Sequence, residues 1–151
     1  MIKIIATLLT IFAFSSSHAK KVNVGIILGF TGPIESLTPD MAAGAELAFS
    51  EASNSGKLLN GSKINVIRAD STCIDSAAAS SAAEGLISQG VTAIMGADCS
   101  GVTGAILSNV AVPNGVPMIS PSATSPGLTT AEDNGLFFRT APSDARGGEV
   151  L

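Results

Sequence analysis

Two short stretches hold the side chains best suited to chemistry. "GADCSG" (residues 96–101) places Cys99 and Ser100 between two glycines. "MISPSATSPGL" (residues 118–128) packs four hydroxyls and two prolines into a segment with no charge. Ser100 immediately precedes a predicted helix, so its hydroxyl and the amides around it point off a helix N-terminus, where anions are favoured. Ser is also a preferred N-cap, and capping its own helix is the competing role. In the second stretch Pro121 and Pro126 stiffen the backbone on either side of Ser122, Ala123, Thr124 and Ser125. A stiff loop presents hydroxyls and carbonyls at little ordering cost; its alternative is a turn cluster whose hydroxyls bond their own backbone. Together the stretches suggest a neutral polar site for a small zwitterion, with hydroxyls and N–H groups for a carboxylate and carbonyls for an ammonium.

Other chemistries fit poorly. The one histidine, His18, lies in the leader described below, which leaves no Ser-His or Cys-His nucleophile system. "SGK" at 55–57 is not a phosphate-binding loop, because Glu51 stands where the first glycine belongs. Gly96, Gly101 and Gly104 do not make the dinucleotide fingerprint. Asp70 and Asp75 are read as a turn residue and a helix cap, and Asp98 as a solvated loop charge. No catalytic residue, cofactor or metal is expected, and sugar recognition lacks aromatic platforms.

These loops need a scaffold. Short β-branched or apolar runs at 22–28, 63–69, 91–95, 116–119 and 136–139 read as strands. Helical spacing covers 41–53, with Asp40 able to cap it, and 76–89, capped by Asp75 and stopped by Gly90. A third helix runs over 101–110, Pro113-Asn114-Gly115 turns the chain, and Asp144 caps a last helix. Strands alternate with helices and are continuously apolar. The predicted fold is therefore α/β, a parallel sheet sandwiched between helices. Ligands of such sheets sit beyond the carboxyl ends of the strands, and both unusual loops fall on that edge.

The N-terminus reads as a secretory signal peptide over residues 1–19: Lys3, an apolar run at 4–14, then small residues with Ser17-x-Ala19 at the cleavage point. An uncleaved membrane anchor is the other possibility, disfavoured by the short run. Cleavage leaves seven basic against twelve acidic residues, no His, no Trp and no Tyr. That acidic balance argues against nucleic acid and anionic lipid as partners. Residues 20–151 suffice for one domain. Cys73 and Cys99, an even pair in an exported chain, suggest a disulfide; two buried free thiols remain the alternative.

In order along the chain, "VGIILGFTGPIES", "GAELAFSEASNSGKLLNGSKINVIRADSTC", "GVTAIMGADCSGVTGAI", "VPMISPSATSPGLT" and "FFRTAPSD" resemble one family. It is the periplasmic leucine/isoleucine/valine-binding type of solute-binding protein that serves ABC importers. The resemblance implies one lobe of a two-lobe, type I binding protein, and it pairs Cys73 with Cys99. It gives Ser100 the ligand carboxylate, Thr124 a hydroxyl and an N–H toward the ligand, and Ser122 a carbonyl. Leu37 falls where the family often carries an aromatic beside the ligand side chain. Residues 20–151 correspond to the N-terminal lobe, with the second lobe, which carries the acid for the ligand ammonium, absent. The expected protein is a periplasmic, non-enzymatic binding component for a branched-chain amino acid or a related amino acid or amide, partnered by an inner-membrane permease. A ligand-sensing receptor domain of the same fold and a non-functional gene fragment are the alternatives.

Overall fold

The structure, a computed structural model, describes residues 20–151. The signal peptide read over residues 1–19 lies outside the described residues. Five strands form one sheet: β1 (Lys21–Leu28), β2 (Lys63–Asp70), β3 (Val91–Gly96), β4 (Met118–Ser120) and β5 (Phe137–Arg139). All neighbouring pairs are parallel, in the order β2-β1-β3-β4-β5. Helices α1 (Thr38–Asn54), α2 (Ser76–Ser88) and α3 (Ser100–Ile106) make the crossovers. α3 runs on through a π-helical turn (Leu107–Ala111) into α4 (Val112–Asn114), and α5 (Asp144–Val150) follows β5. The expected α/β architecture, with helices on both sheet faces, is the one observed.

Successive residues of β1 serve opposite faces, as strand geometry requires. Ile26 and Leu28 pack with Ala42 and Phe49 of α1 and with Met95 of β3. Ile27, between them, joins Ala79, Ala83 and Leu86 of α2, Val102 and Ile106 of α3, and Ile94 and Met118 of the sheet. All three β1 residues are completely buried, and burying each contributes about 1.5–3 kcal/mol. That is why β1, which lies inside the sheet, carries no polar side chain from Val24 to Leu28. β2 departs from this expectation: none of its residues is fully buried, because it lies at the sheet edge.

Four local readings need correction. α1 begins at Thr38, three residues before 41, and no side chain caps it; Asp40 merely lies in its first turn. Pro39 suits the first turn, where an N–H has no helical partner, and Thr38 turns inward to donate to the Gly29 carbonyl at 3.1 Å. β4 starts at Met118, not Val116. Gly115 adopts a left-handed φ of 65°, and the Val116 N–H still reaches back to the Ala111 carbonyl at 2.9 Å. The helix thus ends later than the 101–110 reading allowed. The cap of α5 is Ser143, whose hydroxyl accepts from the Ala145 N–H; Asp144 is left free for another partner. By contrast Asp75 does cap α2, accepting from the Ala77 and Ala78 amides.

Candidate functional site

β3 and β4 are adjacent in register, Ile94 opposite Met118 and Met95 opposite Ile119. The loops that leave their carboxyl ends therefore emerge side by side. The Ser100 Oγ accepts from both the Thr124 N–H and the Ser125 N–H, each at 3.1 Å. Ser100 is the first residue of α3, the N-cap position belongs to Cys99, and no side chain caps that helix. The capping role for Ser100 is thus overturned: its hydroxyl faces the neighbouring loop, not its own helix. Ser100 accepts two bonds and donates none among the described residues, so its O–H proton is available.

The Ser/Pro loop divides its hydroxyls. Ser120 is completely buried; its Oγ donates to the Ala97 carbonyl and accepts from the Ala123 N–H. Ser125 caps the short turn Pro126–Thr129 through the Gly127 N–H. These two match the turn-cluster alternative. Ser122 does not: its hydroxyl donates across to the Asp98 carbonyl at 3.0 Å, and its own carbonyl has no partner among the described residues. Nor does Thr124, whose hydroxyl donates to the Asp144 carboxylate at 2.9 Å. The Asp144 N–H returns a bond to the Thr124 carbonyl at 2.9 Å.

Beneath this shelf lies Asp98, which is 3% exposed and not the solvated charge that its loop position suggested. Its carboxylate accepts from the Gly29 N–H at 2.7 Å, the Cys99 N–H at 2.9 Å and the Ser71 hydroxyl at 3.3 Å. One side chain therefore ties the loops after β1, β2 and β3, and its backbone carbonyl takes in the loop after β4. β1 and β3 flank the point where the strand order reverses, the usual place for a ligand crevice in an open parallel sheet. Cys73 and Cys99 form a disulfide with Cα atoms 5.2 Å apart, joining the second and third of these loops. Tight backbone packing shapes the same edge: Gly96 has φ 129°, and a Cβ there would lie 2.0 Å from the Ile27 carbonyl oxygen.

Asp70, read as a turn residue, is the last residue of β2, opposite Leu28; it closes the β1–β2 end of the edge by accepting from the Thr72 and Thr31 amides and the Thr31 hydroxyl. Burial pushes its carboxyl up, but hydrogen bonds from Thr31, Thr72 and Phe30 outweigh that and leave its pKa below the ordinary value. Leu37 directly precedes α1 on the same edge and is 56% exposed. No hydrogen bond among the described residues joins its loop to Ser100 or Thr124. The structure thus brings Ser100, Ser122 and Thr124 together, and Leu37 lies exposed in the loop after β1.

Sequence reasoning missed Asp144 as a partner of Thr124, and it gave no role to Arg139. The fold brings both to the loop from beyond β4. Among the described residues, no group of three or more metal-ligating side chains gathers, and the edge encloses no pocket; it is an open shelf. No helix of the described residues is long and apolar enough to cross a membrane.

Comparison with known proteins matches this architecture. A family model described as a periplasmic binding protein covers residues 21–151. The Leu/Ile/Val-binding protein BraC3 of Rhizobium johnstonii is 32% identical over 147 residues, spanning 96% of this chain and 38% of the relative. The Leu/Ile/Val-binding protein of Escherichia coli K12 is 29% identical, spanning 90% of this chain and 36% of the relative. Among solved structures, the branched-chain amino acid transporter substrate-binding protein LivJ of Streptococcus pneumoniae, in complex with isoleucine, superposes with a TM-score of 0.73. It is 33% identical, over 83% of this chain and 35% of that one. An ABC transporter substrate-binding protein of Desulfitobacterium hafniense, in complex with Leu, gives a TM-score of 0.71 at 27% identity, over 84% and 36%. These proteins are named as binding proteins, not as enzymes. The chain spans less than two fifths of the length of each.

Proposed function

The chain belongs to the periplasmic binding protein family, and from that premise we propose that it is a solute-binding lobe of an ABC importer for a branched-chain or related amino acid. The observation that carries the reading is the direct bond between the Ser100 hydroxyl and the Thr124 loop at the carboxyl edge of the sheet. Two of the residues that the resemblance assigns to the ligand meet there, and a third, Ser122, lies in the same loop.

The roles follow from the free valences. The Ser100 O–H is a donor for a ligand carboxylate, and the Thr124 and Ser125 amides, which donate to the Ser100 Oγ, polarise that hydroxyl. The Ser122 carbonyl and the Asp144 carboxylate suit an ammonium group. The Thr124 hydroxyl, whose proton goes to Asp144, presents lone pairs to that ammonium as well. Leu37 offers apolar contact for a ligand side chain that reaches it. The leader at residues 1–19 exports the protein to the periplasm, and handover is to a permease in the inner membrane.

One wall of a cleft makes only part of the contacts that a closed site makes. For this chain by itself we expect an L-leucine Kd in the millimolar range or weaker, corresponding to about −4 kcal/mol. Isothermal titration that gave micromolar affinity would contradict the half-site reading. Ser100→Ala and Thr124→Ala are expected to weaken binding more than they weaken folding. Equal losses in urea stability and in affinity would reduce both residues to scaffold.

A further inference from the structure

We infer that Arg139 is the positioning residue that aims the Thr124 and Ser125 amides at the Ser100 hydroxyl, the group proposed to meet the ligand carboxylate. Arg139 ends β5 opposite Ser120 in the register of β4. Its guanidinium donates to the carbonyls of Ala123 and Ser125, at 3.3 and 2.8 Å, and to the Thr129 hydroxyl. All three acceptors are neutral; two lie in the Ser/Pro loop and Thr129 ends the turn Pro126–Thr129. Neither of the ion pairs among the described residues involves Arg139, so its charge is spent on backbone and hydroxyl dipoles.

The consequence comes from the peptide plane. In a trans peptide the C=O and the N–H point in opposite directions. The Ala123 carbonyl and the Thr124 N–H share one plane; Arg139 holds the oxygen, and the N–H points the other way, to Ser100. The next plane repeats the arrangement, with the Asp144 N–H on the Thr124 carbonyl and the Ser125 N–H on Ser100. Arg139 also holds the carbonyl of Ser125 itself. The loop is thus clamped on its carbonyl side, and two amides converge on the opposite side. A cation on the carbonyl side polarises the peptide, which strengthens the Thr124 N–H as a donor to the Ser100 hydroxyl. The carboxylate part of this inference rests on the proposed amino-acid function; the aiming of the amides does not.

The test compares wild type, Arg139→Gln and Arg139→Lys by amide hydrogen exchange on the 15N-labelled chain, followed by titration with L-leucine and with L-leucinamide. Arg139→Gln is expected to speed exchange at Thr124 and Ser125 by about ten-fold or more, the size of losing a hydrogen bond from a charged group. Exchange at Ile26 and Ile94 stays unchanged, and Arg139→Lys falls in between. In the titration, Arg139→Gln is expected to reduce the leucine-induced shift of the Thr124 amide and to leave the response to leucinamide as in wild type. Unchanged protection at Thr124 and Ser125, or a uniform rise across the core, would overturn the positioning role. Equal losses for leucine and leucinamide would overturn the carboxylate role. If wild type responds to neither ligand, the proposed function and the carboxylate role fail together, while the exchange data still decide the positioning role.

Discussion

Replacing Asp98 by Ala removes a side chain that holds three edge loops together. The carboxylate is 3% exposed and accepts from two backbone amides, at 2.7 and 2.9 Å, and from the Ser71 hydroxyl at a weaker 3.3 Å. Bonds to a charged acceptor contribute about 1.5–3 kcal/mol each, and a stranded buried donor costs about 1–3 kcal/mol. Burying a carboxylate without a cation offsets part of that gain. Counting the two short bonds fully and the third lightly, we expect Asp98→Ala to lose about 3–5 kcal/mol, a large share of the roughly 5–15 kcal/mol that holds a domain folded. In a domain of this size that lowers Tm by about 10–20 °C. Asp98→Asn is a graded control. One oxygen can still serve Cys99 and Ser71, but the amide then meets the Gly29 N–H donor to donor, so an intermediate loss is expected. Urea denaturation followed by far-UV circular dichroism measures all three proteins. A loss below about 1 kcal/mol for Asp98→Ala would refute the reasoning, because the stranded donors alone should exceed it.

Other perturbations probe the same edge. Replacing Cys73 and Cys99 by Ser releases a constraint spanning a sequence separation of 26, and the chain-entropy estimate gives a loss of about 3.5 kcal/mol in the urea midpoint experiment; no change would show that the pair is not bonded in solution. Gly96→Ala drives a Cβ into the Ile27 carbonyl at 2.0 Å, so no soluble folded protein should accumulate; a folded variant would contradict the backbone described here. The depressed pKa of Asp70 has a definite sign. Its stabilising effect is complete above the ordinary carboxylate pKa and is lost as pH falls through the lower folded value. Thr31→Val removes one of its donors, so the Asp70 carboxyl should titrate at higher pH in 13C-detected NMR, and an unmoved titration would count against the cause given.

Much of the fold was legible because its signals are local. The apolar run at 24–28 is buried throughout and Val91 and Ile94 of the run at 91–95 are buried, and Asp75 and Gly90 mark the ends of α2 by short-range rules that tertiary packing did not override. Where packing did intervene, the reading slipped. Val116 looks like a strand residue, yet the left-handed Gly115 returns its N–H to Ala111. The site was half legible for the same reason. Hydroxyl-rich loops after consecutive strands pointed to a shared edge, and the register of β3 and β4 made them touch. Asp98 was misread because two of its partners, Gly29 and Ser71, lie 69 and 27 residues away, so no window of sequence around 98 contains them. Arg139 and Asp144 act on a loop 14 and 20 residues earlier, a relation that the pairing of β4 with β5 creates.

The measurement that bears most directly on the whole account is a two-dimensional 15N NMR titration of the chain with L-leucine. The account predicts shifts that grow through the millimolar range and concentrate at Ser100, Ser122, Thr124 and Ser125. Shifts gathered on another part of the molecule, or none at saturating leucine, would contradict it.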